Sequence, residues 1–598
     1  MELLNLDGVI EKGVFEIPSY QRGYAWQKEQ LEDFWNDLEH VSKLGDKLHY
    51  MHSLTLRELE NEFENSAFEI IDGQQRLATS LILLGLLAKT TQNKDPKYSL
   101  INLEPILHYK YYGLSEAFRA ITEEKKDLEA FKTSFYAKNL IDAYEFFKEK
   151  ISDTPVRTLE KMFDALIKKM LFSVVELNDN RIDPFSSFET INNRGKDLST
   201  LELLKNRLHF VAHKICDEED LENLQNEIND TYTRIYHNLR RFEDDHLEGF
   251  LKHFVAYYYG ENSKFKERLL NTAFDAHKKY DDLYDEYEKI NDLLLHLSYS
   301  SKVWYFLRTL DDEEIRIEIT PKIRGLLEKM RHLNALSDNA FLPLLLSLLT
   351  IQLAVRSGSE RHYTTKELED LLEYLERFGF LIYGVAGKNT AKNEWIELAF
   401  KAIQAYRFWR DKITIEELPT LEKNFFNRQG DSALELLEES ILSKKNAEKR
   451  WYKWGKALNY LLYEYELHHN PETTLNFDGS IDSIEHILPQ NPDQGYSAKE
   501  KNWAKNPNIV HALGNLLLIP KNANSSLSNK LFDEKRKQYL KGSYSEKEVA
   551  KNASFGVEQI KERSEKLLDF LIAHYRVAEL VDESAIKAFK NALLKDIK

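Results

Sequence analysis

The sequence predicts a predominantly helical α+β protein with a small N-terminal α/β unit, a long helical middle and a compact C-terminal ββα unit. Three observations predict it. Up to about Tyr109, short apolar runs alternate with amphipathic ones, the pattern of strands alternating with helices. From Leu201 to about Tyr465, Leu, Glu, Lys and Tyr recur at helical spacing. Near the end, two short apolar runs are followed by a polar loop and one more amphipathic run. At 598 residues the chain exceeds one core, and we expect domains over 1–210, 211–444 and 445–598. No repeat or low-complexity linker marks the boundaries.

The elements follow in order. Residues 17–26 (IPSYQRGYAW) are punctuated by Pro18 and Gly23 and read as irregular or edge-strand chain. Leu31, Phe34, Trp35, Leu38 and Val41 fall on one helix face, and residues 49–57 read as a strand. A second strand over 68–71 runs into Asp72-Gly73-Gln74-Gln75-Arg76, and Leu77, Leu81, Leu83, Leu84 and Leu87 then mark a helix. A strand, an Asp-Gly turn and a helix start together suit phosphate. The first helical turn leaves N–H groups unpaired and its dipole favours an anion. Gly73 lets the backbone approach a ligand, and Arg76 can fork onto phosphate oxygens. The plainer alternative makes Asp72 a helix N-cap and Arg76 half of a surface ion pair.

Further on, residues 185–199 interrupt the helices with the turn chemistry of Asn192, Asn193, Arg194, Gly195 and Lys196. A helix is expected over 201–210. The most apolar stretch, 340–355, is 16 residues long and carries Pro343, Ser347, Thr350 and Gln352. That is short for a membrane span, so a buried helix is expected and no membrane partner. The C-terminal strands are expected over 483–489 and 513–520, then an Asn/Ser-rich loop and a helix over 532–540.

Composition narrows the class. An apolar fraction of 42% with 30% charged residues suits a soluble folded protein. The single Cys216 excludes an internal disulfide framework or a cysteine-built zinc ribbon and suits a reducing cytoplasm. Met1 to Asn5 lacks a basic-then-apolar leader, so no secretory signal is expected. The net charge of −17 opposes indiscriminate binding of polyanions. Locally the balance reverses: residues 496–541 hold nine Lys or Arg, among them Lys521, Lys530, Lys535 and Arg536, against three Asp or Glu. A local excess of that kind suits phosphate contacts, although a solvated helix face would give the same composition.

The same region carries a second constellation: Glu485-His486-Ile487-Leu488-Pro489, then Gly514-Asn515-Leu516, then Asn522-Ala523-Asn524. Cutting a phosphodiester needs a base for water and a cation for the charge that builds on phosphate. His486 has the side chain for the base. Glu485 and Asn524 offer oxygen ligands for Mg²⁺ or another divalent ion, and Asn515 can hold the backbone around the base.

This spacing resembles the HNH (His-Me finger) nucleases, whose ββα-metal motif carries a His, a central Asn and a final His or Asn. Glu485 stands where many members have Asp, and Asn524 where many have His. More narrowly, residues 483–490, 511–516 and 529–535 look like the C-terminal nuclease of GmrSD-type restriction enzymes. At the other end, residues 71–77 with 17–26, Phe188 and 192–198 are similar to the GmrS-like N-terminal domain, which has a ParB/sulfiredoxin-like fold. SspE-like proteins join both domains in one chain.

The resemblance implies a nucleotide-regulated, modification-dependent DNA endonuclease of the type IV restriction, anti-phage kind, with His486 as base. It implies an NTP, bound and hydrolysed at Asp72, Gly73, Gln74, Gln75 and Arg76, with Arg22, Asn192 and Arg194 closing the site. Tyr20 and Tyr24 are either core residues or walls of a pocket for modified DNA. Two rivals stand beside this reading: a nucleotide-controlled nicking nuclease without modification preference, and a DNA-binding sensor that does not cut. Which NTP and which modification are used, and whether the chain forms a homo-oligomer, stay open at this level.

Overall fold

The computed structural model describes residues 2–59, 66–93, 95–102, 106–110, 112–177, 198–239, 244–261, 263–275, 278–280, 282–311, 315, 319–355, 362–409, 411–475, 482–492 and 495–598. The chain divides into two compact units, Met1–Phe306 and Leu307–Lys598. Three domains were expected. Helices between 211 and 306 group with the N-terminal sheet, and those from 307 to 444 group with the C-terminal unit. Continuous helical periodicity gives no cue to that division.

Among the described residues the first unit holds a six-stranded sheet ordered β1-β6-β3-β4-β2-β5. Its strands are β1 (Glu2–Asn5), β2 (Val14–Ile17), β3 (His49–Leu59), β4 (Ala67–Asp72), β5 (Leu107–Tyr109) and β6 (Met170–Glu176). The sheet is mixed: β2 runs parallel to β4 and β5, β3 runs parallel to β6, and β1–β6 and β3–β4 are antiparallel. Strand β6 falls where mainly helix was expected. It follows the helix Val156–Lys168 after a single residue, with Asn178-Asp179-Asn180 as its only turn signal, and pairing with β1 and β3 decides its state.

The helix Lys28–Lys43 buries Leu31, Phe34, Trp35, Leu38 and Val41, the face its spacing marked. The helix Gln74–Thr90 is buried on nearly all sides. It packs against the helices Phe135–Ser152 and Val156–Lys168, so the strand–turn–helix that begins at β4 runs into the middle of this core.

In the second unit the helix Leu342–Ala354 is enclosed from Leu342 to Ile351 and packs on Lys392–Gln404. Phe341, Phe378, Tyr383 and Trp395 form an aromatic cluster beside it. Among the described residues no helix is long and apolar enough to cross a membrane. The C-terminal part carries an antiparallel pair, β7 (Asp482–His486) and β8 (Leu516–Pro520). The Asn/Ser-rich stretch expected as a loop is a helix, Lys521–Leu527. Buried Leu527 and hydrogen bonds from Asn524 to β7 provide the anchors that its weak helix propensity lacks.

The turn before β8 is pressed against the helix Val557–His574. A Cβ on Gly514 would lie 2.0 Å from the Ile560 carbonyl oxygen, so only glycine fits. Arg563 donates to the carbonyls of Gly514 at 2.9 Å and Leu516 at 2.7 Å, which fixes where β8 starts.

Candidate functional site

In the first unit, Gly73 turns the chain between β4 and its helix at φ 99°, where a Cβ would meet the Ser53 carbonyl oxygen at 2.9 Å. Gly73 itself occupies the N-cap and no side chain caps the helix, so Asp72 is not the cap. The Asp72 carboxylate accepts from Ser53 Oγ at 3.1 Å and from Arg76 Nη2 at 3.2 Å. Arg76 also donates to the Ser53 carbonyl at 2.7 Å. Asp72 and Arg76 are therefore a half-buried pair braced by β3.

Glutamines tie residues 18–26 to this turn. Gln75 accepts from Ala25 N at 2.8 Å and donates to the Gly23 carbonyl at 2.9 Å. Gln74 donates to the Arg22 carbonyl at 3.0 Å, and Gln21 to the Ile70 and Ile71 carbonyls. With their NH₂ groups held by carbonyls, the amide oxygens of Gln21 and Gln74 are buried without a hydrogen-bond partner among the described residues, as is Arg76 Nε. Buried polar atoms left unmatched in this way mark a place where a ligand can supply the missing bonds.

The helix Thr200–Ile215 adds residues that motif reading missed. Lys205 is buried and donates to the Ser19 carbonyl, and burial lowers its pKa to about 7. Glu202 accepts from Tyr136 Oη at 2.5 Å. His209 meets Asn229 at 3.2 Å, and burial lowers its pKa to about 3. Polar residues at 202, 205 and 209, spaced along one face of a Leu-rich helix, were the available signal.

In the second unit, β7 delivers His486 at its end. His486 Nε2 lies 2.9 Å from His511 Nδ1, and His486 Nδ1 lies 3.3 Å from the Gln490 amide nitrogen. An amide nitrogen only donates, so the satisfying assignment protonates Nε2 toward His511 and leaves the Nδ1 lone pair to accept. Burial, and then the neighbouring His511 and Lys535, lower the His486 pKa to about 3. Burial also lowers that of His511, with a smaller push from Lys449. Asn515 is fully buried: its Oδ1 accepts from Leu488 N at 2.7 Å, and its Nδ2 donates to the Leu488 and Val510 carbonyls at 3.0 and 2.7 Å. One side chain thereby pins the chain after His486 to the chain that carries His511.

Residues 3–209 match the N-terminal domain of the GmrSD restriction endonucleases, and residues 437–570 match the C-terminal domain. The chain belongs to the GmrSD family. Its substrate class is therefore DNA. Comparison with curated proteins returned no match.

Several residues of the GmrSD C-terminal domain stand differently from expectation. Lys535, expected on DNA, is 0% exposed and donates to Glu485 Oε1 at 2.5 Å and to the His486 carbonyl at 2.8 Å. Glu485, expected on a metal ion, spends its carboxylate on that ammonium and on Tyr539 Oη at 3.0 Å. A cation beside Lys535 would be repelled, so Glu485 does not fit as a metal ligand. Arg536 is half-buried and donates through Nε to the Ala550 carbonyl at 2.8 Å. Lys521 and Lys530 are exposed.

Asn524 donates through Nδ2 to Ser483 Oγ at 2.8 Å and the Ile484 carbonyl at 3.1 Å, leaving Oδ1 without a hydrogen-bond partner among the described residues. Among those residues no three His, Cys, Asp or Glu side chains converge on a metal position. One amide oxygen fits Mg²⁺ only if water and DNA phosphates supply the other ligands.

In the GmrSD N-terminal domain, Tyr24 is 1% exposed with its hydroxyl 2.6 Å from Thr79 Oγ1. Tyr20 packs on Ile71, with Leu198 and Phe210 against the pair. Both rings are core residues here and neither reaches DNA. Arg22 is buried beside the turn. Phe188, Asn192 and Arg194 lie outside the described residues.

Proposed function

We propose that the chain is a nucleotide-regulated, modification-dependent DNA endonuclease of the type IV restriction kind, cutting through an HNH-type site at His486. The observation that carries this reading is the His486–His511 pair. His486 Nδ1 exchanges its 3.3 Å hydrogen bond from Gln490 for one from the attacking water and takes that water's proton, while Nε2–H shares the resulting positive charge with the His511 Nδ1 lone pair 2.9 Å away. At neutral pH His486 is in its basic form. The anionic phosphate of bound DNA raises its pKa toward the working range. Asn515 holds the loop that aims the ring. A divalent ion held at Asn524 Oδ1 would neutralise charge on the phosphate in the transition state.

Three atoms support nucleotide binding in the first unit. The buried oxygens of Gln21 and Gln74, unpartnered among the described residues, offer acceptors to hydroxyl or amino groups, and Arg76 Nε offers a donor to phosphate. The uncapped helix start at Gly73 adds backbone N–H groups.

The deciding experiment is His486→Ala with cleavage and DNA binding both measured. We expect cleavage to fall at least a hundredfold, with binding retained. Undiminished cleavage would refute the assignment. Cleavage of modified and unmodified DNA, with and without each NTP, tests the regulatory half.

A further inference from the structure

Residues 444–456 are absent from every site described above, yet they bring Tyr452 and Lys449 next to the histidines. Tyr452 places its ring 4.9 Å from that of His486 and 5.6 Å from that of His511, near-parallel to the latter at 18°. It is nevertheless 37% exposed, so the ring stacks on His511 and is still partly open to solvent.

The segment is bolted down around it. Trp451 is buried and packs 5.4 Å from Trp454, whose indole N–H donates to the Gly384 carbonyl at 3.1 Å. Arg450 donates to Asn508 Oδ1 at 2.7 Å and to the Ile441 carbonyl at 3.3 Å. These ties fix the backbone and leave Lys444, Lys445, Lys449, Lys453 and Lys456 exposed. None of the five makes a side-chain hydrogen bond or ion pair with another described residue. Six positive charges stand here against one, Glu448, in a chain of net charge −17. Lys449 is near enough to His511 to help depress its pKa.

Unpaired ammonium groups on a rigid segment are what a polyanion takes up, and an exposed ring beside them offers a stacking face to a sugar or base. The basic stretch over 496–541 makes a weaker candidate, because Lys535 is buried and Arg536 is tied to a carbonyl.

We infer that residues 444–456 form a strap that grips duplex DNA across the nuclease histidines. Lys449 and Lys453 hold backbone phosphates, and Tyr452 packs against the nucleotide next to the scissile phosphate. Its place at the point of cutting rests on the His486 reading; its grip on DNA does not.

The test uses the full-length chain and a short duplex in EDTA, with affinity read by fluorescence anisotropy over a salt series. Lys449→Ala with Lys453→Ala should flatten the slope of log affinity against log salt by about 2 and weaken binding about tenfold near 0.15 M salt. Lys449→Arg with Lys453→Arg should restore both. Lys551→Ala with Lys587→Ala, which removes the same charge from exposed positions elsewhere on this unit, should change neither.

With the divalent ion present, Tyr452→Ala should slow cleavage at least tenfold at an unaltered salt slope, and Tyr452→Phe should retain it. An unchanged slope and affinity in the double-alanine variant would overturn the strap, as would an equal loss in the control pair. His486→Ala that still cuts would sink the histidine assignment and the placement of Tyr452 at the cut, whereas a flattened slope in the same series would still uphold the grip.

Discussion

Removing Lys535 should unfold the nuclease unit more readily without any effect traceable to metal. Its ammonium is 0% exposed and its partner Glu485 is 4% exposed, joined at 2.5 Å. Lys535→Met deletes that bond and the one to the His486 carbonyl, and leaves a buried carboxylate with no charged partner, held by the Tyr539 hydroxyl and the His486 backbone N–H. Burial already holds the Glu485 pKa above the ordinary carboxylate range and the Lys535 pKa below the ordinary amine range. Breaking such a pair from one side costs about 3–5 kcal/mol. At roughly 2–4 °C per kcal/mol the melting temperature should fall by roughly 6–20 °C. Glu485→Gln added to Lys535→Met should recover part of the loss, because no uncompensated charge then remains buried. Scanning calorimetry of the full chain, run with Mg²⁺ and with EDTA, measures all three variants. A Lys535→Met protein melting within about 2 °C of the parent would refute the reasoning, as would Mg²⁺ stabilisation that disappears with Glu485→Gln.

Acid should leave catalysis intact longer than an ordinary histidine would allow. With the His486 pKa at about 3, the acid limb of kcat/KM should fall well below pH 6.5, which a pH–rate profile measures. His511→Ala should lower kcat and move that limb, since the imidazolium loses its acceptor. Stability should behave in the opposite sense. Burial depresses the pKa of His209 and His486 to about 3 and that of His332 to about 2, all below the unfolded value, so protons favour the unfolded chain. Stability is then complete above about pH 6.5 and declines as pH falls, by about 2 kcal/mol per histidine at pH 5, checked by melting at both pH values. Gly514→Ala should destabilise by several kcal/mol, since its Cβ would sit 2.0 Å from a backbone oxygen; urea unfolding tests it. EDTA should abolish cleavage, and Asn524→Ala should raise the Mg²⁺ concentration required; cutting that survives thorough chelation would refute the metal proposal. Asp72→Ala should abolish NTP turnover, measured as phosphate release; unchanged turnover would reduce Asp72 to the partner of Arg76.

Local features were legible in the chain. Leu31, Phe34, Trp35, Leu38 and Val41 named a buried face from spacing alone, because helical period and burial are linked by geometry. The strand, turn and helix around Gly73 and the order of His486, Asn515 and Asn524 were likewise readable, since turn chemistry acts over a few residues. Strand β6 was not, because a short apolar run directly after a helix takes its state from the strands it pairs with.

The charged residues divide most sharply. Lys535 stood in a basic run that pattern alone assigns to phosphate, and only the fold, by desolvating it against a carboxylate fifty residues earlier, made it a core residue. Lys449 and Lys453 stood in a run no motif marks, and the fold left both exposed, Lys449 near His511. The sequence by itself determined which elements form and which chemical groups the chain carries. The tertiary structure decided which charges are neutralised and which stay available, because desolvation and pairing act through space between residues that no local pattern connects.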